Sequence, residues 1–190
     1  MLSLPYVPRC DTWLHTLRDC VTVIDVSEPS PLLRPIDSAD YTFVLALNEV
    51  NVDLLAPLDS DRLTDLIAVA DRADVVDVSG EFAGFVITFG PGTTYDSENY
   101  RWFGERYADS FYYLDRIVLD DAFRRRGLGG FVYDEMERAA VRHGRLALEV
   151  NLEPPNEASL AFHAARGYQE VARLSNGAKT VALMTKEIPE

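Results

Sequence analysis

The chain has 190 residues, with 31 Asp and Glu against 18 Lys and Arg, and a formal net charge of −13. This acidity argues against a nucleic-acid partner, because neutralising phosphates requires many basic residues. No apolar run approaches the roughly 18 residues of a membrane span, and prolines and charges interrupt the first twenty residues where a secretory signal would be apolar. We therefore expect one cytoplasmic domain without a membrane partner.

Two cysteines and a histidine near the N-terminus form the pattern C-x4-H-x4-C, at Cys10, His15 and Cys20. Steps of five residues rotate by about 500° on a helix, so the three side chains would point in different directions. A fourth ligand is also missing. We predict ordinary cysteines and no metal site.

Residues 1–33 are predicted to be an N-terminal extension, and residues 34–190 the domain. The first elements of the domain are read from apolar spacing and turn residues. They are a strand in LLRPI (32–36), a helix capped by Asp37 or Ser38, a helix from Ser60 with Leu63, Leu66, Ile67 and Ala70 on one face, and two strands, DVVDV (74–78) and FAGFVITF (82–89).

The second half of the chain alternates strands and helices. The predicted elements are a strand in FYYLDRIVLD (111–120), a helix in 130–144, a strand in RLALEV (145–150), a helix in NEASLAFHAAR (156–166), and strands in 168–174 and 179–188. The order predicts an α/β fold with a single mixed sheet of about seven strands and about four flanking helices.

Residues 90–110 form the longest stretch without a predicted element, and they interleave aromatic and acidic side chains. This segment is either a substrate lid, whose acids and aromatic faces hold a cation, or a compact loop that packs on itself. As a lid, it would contact the substrate through Tyr95, Asp96, Glu98 and Trp102.

The segment FRRRGLGG (123–130) places three arginines and three glycines between a buried strand and a helix. Free backbone N–H groups and the positive end of the helix dipole make such a junction an anion site. A Walker loop is excluded because Phe131 and Val132 follow the last glycine, and Val132 also breaks the dinucleotide fingerprint. The pattern that fits is Arg-x-x-Gly-x-Gly, from Arg124 to Gly129.

That pattern, followed by NEASLAFHAARGY (156–168) and set in this order of elements, resembles the GNAT acetyltransferase superfamily over about residues 32–190. The resemblance implies acetyl-CoA as cosubstrate, its pyrophosphate held by the arginine and glycine loop. It also implies that the strand around Ile117 diverges from the next, so that main-chain groups hold the pantetheine arm. The residues implied in cofactor binding are Ile117, Val118, Leu119, Arg124, Arg125, Arg126, Gly127, Leu128, Gly129, Gly130 and Asn156.

Three side chains are candidates for proton transfer. His163 falls where many members of the family carry a tyrosine that protonates the leaving thiolate. With an ordinary pKa of about 6.5, His163 would be partly charged at neutral pH and could donate a proton more readily than tyrosine. It could equally accept a proton, or simply pack under its helix. Glu149 resembles the glutamate base of members that acetylate ribosomal-protein N-termini. Asp115, a carboxylate within an apolar strand, is the rival base, or else the partner of an arginine from a neighbouring strand or loop. The third alternative is that the site has no dedicated base.

The sequence therefore predicts an acetyl-CoA-dependent N-acetyltransferase that acts on a small-molecule or peptide amine by direct transfer. A homodimer is left open. The alternative is a non-catalytic domain of the same fold that binds acyl-CoA as a sensor or assembly module.

Overall fold

A computed structural model describes residues 30–177 and 179–189. The predicted extension lies almost entirely outside these residues, as do Cys10, His15 and Cys20. The first strand begins at Pro31 and so spans the predicted boundary between extension and domain.

The described chain forms seven strands and five α-helices. In chain order they are β1 (Pro31–Pro35), α1 (Tyr41–Val50), α2 (Ser60–Val69), β2 (Arg72–Val78), β3 (Glu81–Phe89), α3 (Glu98–Tyr107), β4 (Tyr112–Leu119), α4 (Leu128–Ala140), β5 (Arg145–Glu153), α5 (Glu157–Ala165), β6 (Gln169–Asn176) and β7 (Lys179–Glu187). The predicted order and the α/β class are confirmed.

All seven strands belong to one sheet, in the order β1-β2-β3-β4-β5-β7-β6. Neighbouring strands are antiparallel except β4 and β5, which are parallel. The two faces of the sheet carry separate cores. Helices α4 and α5 cover one face, and α1, α2 and α3 cover the other.

Several local predictions were wrong. Helix α1 begins at Tyr41, so its N-cap residue is Asp40 and not Asp37 or Ser38. The Asp40 carboxylate is held in place by the Arg34 guanidinium. The cap of α2 is Asp59 rather than Ser60, since its carboxylate accepts the Arg62 N–H. One helix was not predicted: α3 lies inside residues 90–110, the segment predicted to be irregular.

Close backbone approach fixes the identity of Gly84 in β3. A Cβ at this position would lie 2.3 Å from the carbonyl oxygen of Val118 in β4. We expect Gly84→Ala to lower the free energy of unfolding by about 1 to 3 kcal/mol, because the strands must separate to admit the methyl group. Gly104→Ala in α3, where a Cβ meets nothing within 4 Å, should be neutral or stabilising. Urea unfolding of the two variants tests this, and equal midpoints would contradict it.

Candidate active site

A bulge in β4 sets the geometry of the centre of the sheet. Ile87 of β3 pairs with Arg116, whereas the next residue, Thr88, pairs with Leu114, so Asp115 is the extra residue of the bulge. A bulge interrupts the alternation of side chains between faces. Asp115 and Arg116 consequently both reach groups on the side of α1 and α3.

Strands β4 and β5 pair at two positions only, Tyr112 with Leu146 and Tyr113 with Ala147. Beyond Tyr113 the strands diverge, as the resemblance implied. The Asp115 side chain is 6% exposed although the residue as a whole is partly exposed, so its accessible part is main chain. The opening therefore presents polar backbone of β4.

A cleft of about 580 Å³ passes along this opening. Ile117 and Val118 line it, and Leu119 is half-buried at the end of β4. The cleft contacts both sides of the sheet. From the α4 and α5 side it is lined by Tyr133, Leu148, Val150, Asn156, Ser159 and His163, and from the other side by Asn51, Tyr95, Asp96, Asp115, Arg116 and Glu149.

Glu149 projects from β5 into the cleft and is partly accessible. Its Oε2 accepts a 2.5 Å hydrogen bond from the Tyr113 hydroxyl. Burial, and then the negative charge of Asp115, raise the pKa of Glu149 to about 7. A carboxyl group with this pKa exchanges its proton near neutral pH, as a general base must.

Asp115 faces a charged side chain as well as a hydroxyl group. Its Oδ1 accepts the Tyr95 hydroxyl at 2.5 Å, and its Oδ2 faces the Nε of Arg116 at 3.3 Å. Burial raises the pKa of Asp115, and the Arg116 guanidinium and the Tyr95 hydroxyl oppose that rise. The arginine partner of Asp115 does not come from a neighbouring strand or loop, as expected, but is the next residue of the same strand, Arg116, which the bulge turns to the same side.

His163 is 4% exposed, and both of its ring nitrogens have partners. Nδ1 lies 2.6 Å from the Ser159 carbonyl oxygen, which can only accept, so Nδ1 carries the proton. Nε2 must then accept from the Tyr133 hydroxyl at 2.5 Å. Burial lowers the pKa of His163. The expectation of a partly charged histidine therefore does not fit its surroundings, which favour the neutral ring.

Asn156 lies at the N-cap of α5, where its Oδ1 accepts the Ser159 N–H at 3.1 Å. It lines the same cleft as His163, two turns along the same helix. Its side-chain Nδ2 makes no hydrogen bond to the described residues and can donate to a ligand.

The arginine and glycine loop precedes α4. Helix α4 begins after Gly127, which has φ +77°, with no side-chain cap and no acidic residue in its first turn. The three arginines are exposed. Arg124 pairs with Asp121 at 2.6 Å, Arg126 lies over the Phe123 ring, and Arg125 pairs with no described residue. Leu128 is buried, and Gly129 and Gly130 lie half-buried in the first turn. Arg124 thus has Asp121 as a partner, whereas Arg125 has no anionic partner among the described residues and the first turn of the helix has no acidic residue.

The aromatic insert is largely packed against the sheet. Tyr95 stacks on Phe89 with ring centroids 4.0 Å apart, and Phe103 is fully buried. Tyr95, Asp96 and Glu98 line the cleft, whereas Trp102 packs edge-on against Phe103 and is not part of the lining. Asp96 is paired with Arg62 at 2.5 Å. These contacts fit a wall of the cleft better than a free acidic lid.

Sequence reasoning missed three polar side chains at this site: Tyr113, Arg116 and Tyr133. Tyr113 and Arg116 belong to a strand that reads as continuously apolar, and Tyr133 was one residue of a predicted helix. The only available signal was a polar group at a position expected to be buried.

Among the residues that the structure describes, no helix is long and apolar enough to cross a membrane. Within the same residues, no group of three or more His, Cys, Asp or Glu side chains could hold a metal ion.

The sequence of residues 36–168 matches the family described as acetyltransferase (GNAT). No sequence among the curated proteins matches the chain.

Solved structures with similar folds have low sequence identity. Ard1 from Thermoplasma volcanium superposes with a TM-score of 0.67 at 17% identity, over 84% of this chain and 99% of that one. YncA from Salmonella typhimurium, solved with acetyl-CoA, gives 0.61 at 18% identity, over 85% and 95%. Spermidine N-acetyltransferase from Vibrio cholerae, solved with CoA and spermine, gives 0.62 at 17% identity, over 83% and 95%. At these identities the likeness is one of fold.

Proposed function

Because the chain belongs to the acetyltransferase (GNAT) family, we propose that it transfers an acetyl group from acetyl-CoA directly to the nitrogen of a small-molecule or peptide amine. The observation that carries the proposal is Glu149. This carboxyl group has a pKa of about 7 and faces a cleft that continues through the opening between β4 and β5. A domain that only binds acyl-CoA has no need of such a base.

The residues present fit acetyl-CoA, which supplies the activated acetyl group as a thioester. The uncapped start of α4 and the exposed Arg125 suit the pyrophosphate, because both offer positive charge and free N–H donors. Main chain along Ile117 and Val118, with the Asn156 amide, suits the polar pantetheine arm.

Glu149 would act as the base, directly or through water. The amine nitrogen attacks the thioester carbonyl carbon, the C–N bond forms, and the C–S bond breaks. The nitrogen passes its proton to the Glu149 carboxylate, and the sulfur leaves as a thiolate. Glu149 is the better candidate than Asp115, because Asp115 is paired with the Arg116 guanidinium, whereas Glu149 accepts from the uncharged Tyr113 hydroxyl.

Tyr133 is the side chain best suited to donate a proton to the thiolate. Its hydroxyl lines the cleft and is held by the neutral His163 ring, which makes His163 a positioning residue in this account. Burial raises the pKa of Tyr133 above its usual value. A full transfer is therefore uphill. The hydroxyl has one proton, which His163 Nε2 accepts in this structure, so a hydrogen bond to sulfur would require that proton to turn from the imidazole to the thiolate.

We expect Tyr133→Phe to lower kcat by roughly tenfold, below the usual range for general acid catalysis, because a thiolate leaves readily. Acetyl-CoA affinity should change little. The matched control is Tyr168→Phe, which removes a hydroxyl that contacts Glu137 beside the same ring and outside the cleft lining. Steady-state rates for both variants test this, and equal rates would remove Tyr133 from the chemistry.

The experiment that tests the proposed function follows release of free CoA thiol from acetyl-CoA in the presence of amines, amino acids and short peptides. Thiol release that depends on one class of acceptor is the expected result. Calorimetric binding of acetyl-CoA without release for any acceptor would instead favour the sensor or assembly module.

A further inference from the structure

Arg116 is a charged side chain buried at the acceptor side of the cleft, with one nitrogen left without a partner. The residue is 5% exposed. Nη1 donates to the Asn48 Oδ1 at 2.7 Å and to the Ala56 carbonyl oxygen at 2.8 Å, and Nε faces Asp115 at 3.3 Å. Nη2 has no hydrogen bond to any described residue.

That nitrogen opens into the cleft. In the described part of the chain, every side-chain nitrogen or oxygen that is shielded from solvent has a hydrogen-bond partner. Nη2 has none, so it reaches solvent, and Arg116 lines the cleft. The contacts of Nη1 and Nε fix the plane of the guanidinium, so the donors of Nη2 have a fixed direction before any ligand arrives.

We propose that Arg116 binds a carboxylate of the acceptor, and that the acceptor is an α-amino acid. This inference rests on the proposed function, because it assigns the class of amine. A nearly buried guanidinium with free N–H donors favours a carboxylate, which accepts from it in a charge-assisted bond. Asp115 faces the guanidinium at Nε, so the acceptor carboxylate would bind at Nη2.

The distribution of charge supports an amine and a carboxylate attached to the same carbon, as in an α-amino acid. Asp115, Arg116 and Glu149 line the same cleft. The Asp115 Oδ2 faces Arg116, and the Asp115 charge also acts on Glu149. An acceptor amine at Glu149 and an acceptor carboxylate at Arg116 would therefore occupy one site.

Other cations lining the cleft already have partners. Arg62 pairs with Asp96, and Lys179 donates to the Asp53 carbonyl oxygen from an exposed position. A polyamine would place positive charge beside the buried Arg116, which would cost binding energy. The site thus favours a zwitterion over the purely cationic acceptor that the acidic insert first indicated.

The test compares acceptors that differ only in the carboxylate. L-leucine is paired with isopentylamine, and L-phenylalanine with phenethylamine, with spermidine as the polycation. We expect kcat/KM to be roughly 30-fold higher for the amino acid of at least one pair, in line with a hydrogen bond between charged groups. In Arg116→Met the ratio within that pair should fall to near one. A ratio is unaffected if part of the variant is misfolded, because both rates fall together.

A second experiment uses the unmodified protein and acids that cannot themselves be acetylated. 4-Methylpentanoate and 3-phenylpropionate carry the carboxylate without the amine, and the matching one should compete with the preferred amino acid. Amines acetylated as fast as the amino acids, with no inhibition by either acid, would overturn the carboxylate site and leave the proposed function standing. Calorimetric binding of an amino acid that Arg116→Met abolishes, without transfer to any acceptor, would overturn the function and retain the site.

Discussion

Replacing Glu149 by glutamine should lower kcat/KM by about 10³-fold, within the range for loss of a general base. Glutamine keeps the shape of the side chain and can still accept from Tyr113, but it cannot take a proton from the amine. Glu153→Gln, four residues further along the same strand and exposed, is the matched control and should retain nearly full activity. A rate for Glu149→Gln equal to that of the control would mean that Glu149 is not the base.

The pH profile gives this prediction a second readout. Glu149 acts only when deprotonated, and its pKa is about 7. The kcat/KM of the parent protein should therefore rise with pH through about 7. Above that pH, Glu149 should cause no further increase. Ionisation of the acceptor amine affects the pH profiles of both proteins. The rise in kcat/KM near pH 7 should be absent from Glu149→Gln, and this difference can then be assigned to Glu149.

Stability should change in the opposite direction from activity. The folded protein holds the Glu149 proton up to about pH 7, whereas the unfolded chain releases it near the ordinary glutamate value of about 4.3. The folded state binds more protons between these values, so this group lowers stability as pH rises across that window. Glutamine does not ionise, and Glu149→Gln should melt at a higher temperature than the parent at pH 8. A lower melting temperature for Glu149→Gln than for the parent would indicate that the variant loses activity through misfolding.

Reversing the charge of Arg125 should weaken acetyl-CoA binding by roughly 10²-fold at low salt. The change removes a charge-assisted contact to phosphate and adds repulsion, together on the order of 3 kcal/mol. The fold should tolerate it, because Arg125 is exposed and pairs with no described residue. The difference should shrink as salt screens the charges.

Arg138→Glu is the control for this variant. Arg138 lies in the last turn of the same helix, at the opposite end from the loop, and its reversal alters net charge equally. Calorimetry of acetyl-CoA binding should separate the two variants. Equal affinities for both would show that the loop does not hold the phosphates.

The fold could be predicted because its strands and helices are regular over lengths that reveal their period. The apolar runs of β2 and β3 and the apolar face of α2 need no tertiary information. Helix α3 was missed because it follows a run of Gly, Pro, Thr, Asp and Ser, although it is as long as α1 and α2. Its aromatic side chains are fixed by packing on Phe89 and Phe111, which lie outside the helix.

The chemistry of the site could be predicted only in part. Asp115 stood out as a carboxylate within an apolar strand, and Glu149 was identified by its resemblance to the family's glutamate base. The bulge at Asp115 leaves no trace in the pattern YYLDRIVL. Without the bulge, Arg116 would belong to the opposite face of the sheet, so its place beside Asp115 could not be foreseen. The Tyr133–His163 pair joins residues 30 positions apart, a distance that no local period encodes.

The most direct test of the central claim uses acetyl-CoA labelled with ¹³C in the acetyl group. The protein is incubated with this compound and an equimolar mixture of L-leucine, L-phenylalanine, isopentylamine, phenethylamine, spermidine and a dipeptide, and mass spectrometry follows the label. We predict that the label appears as an amide on one class of acceptor, that none is attached to the protein, and that Glu149→Gln forms almost no product. Label that remains in acetyl-CoA although the protein binds it, or that is found covalently on the protein, would contradict direct transfer.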